Sequence, residues 1–278
     1  MKDEMNIGIV GRGFVGSAVE FGFSRQTGCN AKVLIYDKDK TKSLNSLEQT
    51  VNESDFIFVS VPTPSKGEGE IDLSFLHEAI GEINDAKSRR IDNIILIRST
   101  VVPGTCKDLQ SYYPDLNIVF NPEFFTERSA KFDFINQARF IMGGSPVHTR
   151  RVANLFKLRF GDTIPCINTT FSTAELIKYM CNCFFATKIS FLNEMKLLAN
   201  NLSLDIDWDS AVEGFIRDGR IGHSHINVPG HDGKYGFGGA CFPKDIQALI
   251  KFGEYNNIEM NTLKGAWKTN LEVRNEKR

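Results

Sequence analysis

The chain has 278 residues, enough to bury a sizeable core and to hold two domains. Its 33 basic and 34 acidic side chains leave a formal net charge of -1, and no basic block stands out, which argues against a nucleic-acid partner. No apolar stretch approaches the roughly 20 residues that cross a bilayer, so no membrane partner is expected.

The opening residues, MKDEMNIGIVGRGFVG, enter a strand–turn pattern at once, which is expected to leave no room for a signal peptide. Ile7–Val10 reads as a short buried strand. Gly11-Arg-Gly13-Phe14-Val15-Gly16 follows it and opens a helical stretch that runs through Phe23. A lone GxGxxG is weak, but strand, glycine turn and helix within one βαβ unit make a dinucleotide fingerprint. Gly11 permits the tight turn, Gly13 lets a pyrophosphate approach the backbone, and Gly16 lets helix and strand pack closely. The helix N-terminus offers N–H groups to the phosphates. A second strand, Val33–Tyr36, stops at Asp37, 21 residues after Gly16. A carboxylate there holds ribose hydroxyls and repels a 2′-phosphate, favouring NAD over NADP, although Lys38, Lys40 and Lys42 soften that preference. The bland alternative is a glycine turn that serves packing alone.

Further apolar runs at 56–61, 94–97, 118–120 and 140–142 are separated by helical or loop segments, as in a doubly wound α/β domain with a parallel sheet, the Rossmann arrangement. Polar clusters lie just beyond three of these strands: Thr63 in Val-Pro-Thr-Pro, Thr100 in Arg-Ser-Thr, and Glu123 with Phe124, Phe125 and Glu127 in Asn-Pro-Glu-Phe-Phe-Thr-Glu. The carboxyl ends of strands are where open α/β sheets bind ligands. Each cluster taken singly also reads as an ordinary capped loop.

From about residue 171 the pattern turns helical. We divide the chain into a dinucleotide-binding domain, 1–170, and a smaller all-α domain, 171–278. Ser172-Thr-Ala-Glu175 reads as a capping box opening a long helix. On it Lys178 and Asn182 lie four apart, on one face among apolar neighbours, so both need buried partners, and a substrate oxygen is a candidate. The same helix carries Cys181 and Cys183, which point to different faces and are poorly placed to ligate one metal. With Cys29, Cys106, Cys166 and Cys241 they read as reduced thiols of a cytoplasmic protein. His223, His225 and His231 with Asp232 invite a metal reading, but no metal is expected.

Residues 236–245, Gly-Phe-Gly-Gly-Ala-Cys-Phe-Pro-Lys-Asp, carry the chemistry. Cys241 follows glycines that let other groups reach its backbone, and Lys244 and Asp245 come directly after it. A cationic neighbour favours the thiolate, the form that attacks carbon. An isolated cysteine of this kind is more often a small packed residue; a dinucleotide turn in the same chain favours an oxidoreductase with a covalent thiol intermediate.

These stretches resemble the UDP-glucose/GDP-mannose dehydrogenases. The resemblance spans nearly the whole chain, through GRGFVG, VPTP at 61–64, RSTVVPGT at 98–105, NPEFFTE at 121–127, the AELIKYMCNCFFATKISFLNE helix, RIG at 220–222 and GFGGACFPKD. It implies NAD-dependent, four-electron oxidation of a nucleotide sugar, first of all UDP-glucose to UDP-glucuronate, in glycan-precursor synthesis. By position, Cys241 would be the nucleophile, forming a thiohemiacetal and then a thioester. Lys178 and Asn182 would stabilise oxyanions. Asp245 would position water or take a proton, Glu123 would assist thioester hydrolysis, and Thr100 would order water. Cofactor contacts fall on Gly11, Gly13, Phe14, Val15, Gly16, Asp37, Thr63, Thr100, Glu127 and Lys244. Substrate contacts fall on Glu123, Phe124, Phe125, Lys178, Asn182, Arg220, Ile226, Asn227, Val228, Pro229, Gly230 and Gly238. The family's arginine at the position of Arg220 reaches the neighbouring subunit's site, which implies a homodimer.

Two departures stand out. The family's chains continue into a third domain that clasps the nucleotide, whereas this sequence stops at Arg278, so that domain is expected to be lacking. The stretch from Arg220 to Cys241 is lengthened by His-Asp-Gly-Lys at 231–234, which bears on the sugar accepted. The alternatives are a two-electron β-hydroxyacid-type dehydrogenase, which needs no nucleophilic cysteine, and a non-catalytic NAD-binding remnant.

Overall fold

Seven short strands form one sheet in the computed structural model, which describes residues 5–67, 69–88 and 92–274. In chain order the strands are β1 (Asn6–Val10), β2 (Lys32–Tyr36), β3 (Phe56–Val59), β4 (Ile94–Ile97), β5 (Asn117–Phe120), β6 (Phe140–Gly144) and β7 (Cys166–Thr169). Their spatial order is β2-β1-β3-β4-β5-β6-β7. All neighbours are parallel except β5 and β6, which pair antiparallel, while β6 and β7 are again parallel to each other. The doubly wound α/β arrangement therefore holds, with its last two strands reversed.

Six helices flank these strands: α1 (Phe14–Gly22), α2 (Leu47–Asn52), α3 (Ser74–Ala86), α4 (Thr105–Tyr112), α5 (Ala130–Ile135) and α6 (Pro146–Phe160). Successive strand residues point to opposite faces, so buried strands feed two cores at once. Ile7, Ile9, Phe58, Ile94, Leu96 and Val119 pack on one face with α1, α5 and α6. Val10, Ile57, Val59, Ile95, Ile97 and Ile118 pack on the other with α2, α3 and α4. Each such fully buried side chain stabilises the fold by about 1.5–3 kcal/mol before entropy is counted.

The remaining helices are α7 (Phe171–Asn201), α8 (Trp208–Ile216), α9 (Phe242–Tyr255) and α10 (Asn261–Arg274). The described residues divide into two compact units. One comprises the chain to Pro64 with Asp72–Lys178; the other comprises Ser65–Ile71 with the chain from Tyr179 onward. In the second unit Ser65 and Ile71 form an isolated antiparallel bridge, and the Tyr255 hydroxyl donates to the Glu70 carboxylate.

The expected capping box is not formed. Helix α7 starts at Phe171, and Thr170 Oγ1 accepts the Thr173 N–H at 3.3 Å. Glu175, fully buried, instead caps a different helix: its carboxylate accepts the N–H groups of Gly104 and Cys106, at 2.7 and 2.8 Å, at the start of α4.

Candidate active site

In the first unit, the turn after β1 assigns each fingerprint glycine a distinct physical duty. Gly11 has φ +93, and a Cβ there would meet the Ser60 carbonyl oxygen at 2.6 Å. A Cβ on Gly16 would lie 2.0 Å from the Gly11 carbonyl oxygen. Around Gly13 a Cβ would meet nothing within 4 Å, so the space beside this backbone is open. Phe14 and Val15 begin α1, whose N-terminus carries no side-chain cap. Open space at Gly13 beside uncapped N–H groups fits a diphosphate.

Asp37 stands at the end of β2, where its Oδ2 accepts the Arg12 N–H at 2.6 Å and its Oδ1 accepts the Asp39 N–H at 2.8 Å. The Arg12 guanidinium turns to Glu20, at 2.6 Å. Lys38 is paired with Glu78 at 2.6 Å and Lys42 with Asp39 at 3.4 Å, so both cations already have carboxylate partners. Thr63 is buried, Thr100 half-buried, and Glu127 exposed at the start of a short 3-10 turn, Glu127–Ser129.

The cluster after β4 is less open than its sequence suggests. Arg98 is fully buried, with its guanidinium 5.3, 5.8 and 5.9 Å from the ring centroids of Phe125, Phe134 and Phe58. Nη1 donates to Asn121 Oδ1 at 2.5 Å, and Asn121 Nδ2 donates to the Ile141 carbonyl at 2.8 Å. Burial pushes the Arg98 pKa down to about 10. Two residues on, Glu123 accepts Lys178 Nζ at 2.8 Å on Oε1 and the Phe125 N–H at 2.7 Å on Oε2. The Glu123 carbonyl also accepts Lys178 Nζ, at 2.5 Å. Burial alone would raise the Glu123 carboxyl pKa. The Lys178 charge and hydrogen bond, the Phe125 N–H and the Arg98 charge outweigh it and hold the group below its ordinary value. Phe124 lies under the Lys178 ammonium, 5.5 Å from ring centroid to Nζ. Lys178 is thus partnered by a carboxylate that the sequence placed in the same site without pairing them.

In the second unit, Cys241 sits at the N-terminal end of α9, and its carbonyl accepts the Asp245 N–H at 2.8 Å. Asp245 is buried and engaged on both oxygens, by Asn182 Nδ2 at 2.6 Å and by Lys244 Nζ at 2.5 Å. Lys244 therefore meets the neighbouring aspartate directly. The Cys183 thiol donates to the Asp245 carbonyl at 3.7 Å, and burial, with the charge of Asp245, pushes its pKa well up.

Ile226, Asn227, Val228 and Pro229 line a cavity of about 600 Å3 together with Trp208 and Ile216 of α8 and with Arg217 just beyond it. The loop before it is fastened by Lys188, which donates to the carbonyls of Ile221, Gly222 and Ser224 at 3.2, 2.9 and 2.7 Å. His225 stacks on Phe185 at 4.3 Å, and burial together with the Lys188 charge lowers its pKa. Arg220 is exposed and paired with Asp218. Gly230 closes a turn by donating to the Lys234 carbonyl at 2.8 Å, and Gly238 packs against Arg274. Among the described residues no three His, Cys, Asp or Glu side chains are grouped to hold a metal. Asp232, weighed in the sequence with the histidines, is ion-paired with Arg274 at 2.5 Å. Asn193, Lys188, Asn270 and Arg274 were not singled out from sequence; polar side chains four apart on one face of α10, at 270 and 274, were the available signal.

Residues 41–158 match the NAD binding domain of the UDP-glucose/GDP-mannose dehydrogenase family, and residues 172–272 match its central domain. The chain belongs to this family. The match over 41–158 is to an NAD binding domain, and the cofactor is NAD. Among relatives, a UDP-glucose 6-dehydrogenase of Rickettsia conorii is 35% identical over 85% of this chain and 53% of its own. That of Rickettsia prowazekii is 33% identical over 96% of this chain and 67% of its own. A solved UDP-glucose dehydrogenase from Pyrobaculum islandicum superposes with a TM-score of 0.83 at 27% identity, covering 97% of this chain and 68% of that one. The chain thus spans about half to two thirds of the length of these relatives.

Proposed function

We propose that the chain carries out NAD-dependent oxidation of a nucleotide sugar to its uronate, with Cys241 as the covalent nucleophile and UDP-glucose as the leading substrate. Family membership and the names of the relatives support the reaction class. The single observation that carries the mechanism is the Asn182–Asp245–Lys244 network built directly onto the first turn of the helix that Cys241 opens.

Bound NAD would accept the hydride leaving the substrate carbon. The sulfur of Cys241 adds to the aldehyde carbon, the carbonyl oxygen takes up the electron pair and a proton, and a thiohemiacetal results. Loss of a second hydride from the thiohemiacetal carbon to another bound NAD would give a thioester, and water would then break the C–S bond, giving carboxylate and thiol. The N-terminal end of a helix favours negative charge at Cys241. Asn182 and the Lys178 ammonium are the donors proposed for developing oxyanions, fixed in advance by burial and by their hydrogen bonds. Both Asp245 oxygens already accept donors, which favours a role in holding Asn182 and a water over one as proton acceptor. Glu123, ionised by Lys178, is the group proposed to assist hydrolysis, with Thr100 ordering water. The cofactor set is Gly11, Gly13, Phe14, Val15, Gly16, Asp37, Thr63, Thr100, Glu127 and Lys244. The substrate set adds Phe124, Phe125, Arg220, Ile226–Gly230 and Gly238.

Residues 1–170 would serve as the NAD-binding domain and 171–278 as the central domain, through which the protein would form a homodimer.

NADH yield per sugar, measured across a panel of UDP- and GDP-sugars, tests this reading: two NADH per substrate are expected, and a Cys241→Ser variant should stall before the acid. Ordinary acid production by Cys241→Ser, or one NADH per substrate, would favour a two-electron dehydrogenase. No NADH with any sugar would leave a binding protein.

A further inference from the structure

We infer that Asn270 and Arg274, on α10, are positioning residues that set Cys241, and that Asp232 ties the turn at 230–234 to the same arginine. The reasoning rests on the reading of Cys241 as nucleophile. Residues 235–240 lead directly into that cysteine, and three buried side chains hold their backbone. Asn193 Oδ1 accepts the Gly236 N–H at 2.9 Å. Asn270 Oδ1 accepts the Phe237 N–H at 2.6 Å. Arg274 Nη1 donates to the Tyr235 carbonyl at 3.3 Å, while its Nη2 meets Asp232 Oδ2 at 2.5 Å.

The glycines are explained by the same groups. A Cβ on Gly236 would lie 2.3 Å from Asn270 Oδ1, and one on Gly238 would lie 2.2 Å from Arg274 Nη2. The backbone therefore runs flush against both side chains, which stand one helical turn apart on α10. Phe237, nearly fully buried, adds an edge contact to Phe242, the residue after Cys241, at 6.3 Å. One guanidinium thus fastens both the segment before Cys241 and, through Asp232, the turn that follows the Ile226–Gly230 stretch. The turn also runs directly into Tyr235 along the chain, so the guanidinium braces the segment before Cys241 at a second point.

Site-resolved alkylation by iodoacetamide, read by peptide mass spectrometry, tests this without reference to any sugar. In Arg274→Met and in Asp232→Asn, alkylation of Cys241 should rise about threefold or more while that of Cys29 stays unchanged, because a released segment samples more open positions. Turnover should fall roughly tenfold with KM changing less than about twofold, as misplacement of a reacting group predicts. Arg274→Lys, which keeps the charge opposite Asp232, should recover part of the loss. The inference is overturned if Cys241 alkylation in both variants stays within about twofold of the parent, or if Cys29 rises in step with it. Should Arg274→Met fail to fold, Asp232→Asn, on an exposed turn, decides alone. A parent protein that oxidises no sugar would defeat the proposed reaction, while the alkylation rates would still decide the clamp.

Discussion

At the scale of single residues, Gly13 and Gly16 share a motif and differ in duty. Gly16→Ala drives a Cβ into the Gly11 carbonyl and should cost about 1–3 kcal/mol in thermal or urea unfolding, the usual penalty of overpacking. Gly13→Ala meets no protein atom and should change stability by less than about 0.5 kcal/mol. Its effect should fall on NAD instead, weakening a fluorescence titration by roughly tenfold, since the methyl fills the space proposed for the diphosphate. Equal stability losses in the two variants would contradict this division. The buried Lys178–Glu123 pair behaves differently again. Lys178→Met strands a buried carboxylate and should cost about 3–5 kcal/mol, much of it recovered when Glu123→Gln is added. The Glu123 carboxyl lies below its unfolded value of 4.5, so its contribution is whole above that pH and is lost as the pH falls through the lower folded value. The stability difference between parent and Glu123→Gln should accordingly be constant above about pH 4.5 and change progressively as the pH falls below it.

At the scale of elements, Glu175 connects two helices that are far apart in sequence. Glu175→Ala should cost about 1–2 kcal/mol by orphaning the first N–H groups of α4, with hydrogen exchange rising at Gly104 and Cys106 before it rises in α7. The sequence spacing Ser172-x-x-Glu175 could not reveal this, because a carboxylate three residues into a helix caps whichever backbone end lies nearest in space. Strands β1 to β6 were legible as apolar runs, since strands buried on both faces have no polar side to interrupt them. Strand β7 was not, because Cys166-Ile-Asn-Thr169 is mostly half-buried or exposed. The reversal of β6 was equally hidden: Phe140–Met142 has the same pattern whichever way the strand runs. The glycine turn was readable because its tight bend and close packing need glycine at fixed spacing. The α10 clamp was not, because an asparagine and an arginine on a helix ordinarily face water.

At the scale of the whole molecule, helix α7 presents Met180, Phe184, Phe191 and Leu198 between 46% and 61% exposed, at spacings of four and seven that place them along one face. Such a stripe supports self-association through this helix. Phe184→Glu is expected to convert a dimer to monomer in sedimentation velocity at micromolar protein; a parent that sediments as a monomer would remove the homodimer. No helix among the described residues is long and apolar enough to cross a membrane.

The short piece Ser65–Ile71 has a practical bearing on any dissection of this protein. It is inserted in the numbering of the sheet-bearing unit yet belongs with α9, where Gly69 lies against the Gln247 backbone and Glu70 receives Tyr255. A gene fragment opened at codon 179 would leave that piece behind, so the helical half should be recovered whole only when residues 65–71 are supplied in trans or spliced back through a linker.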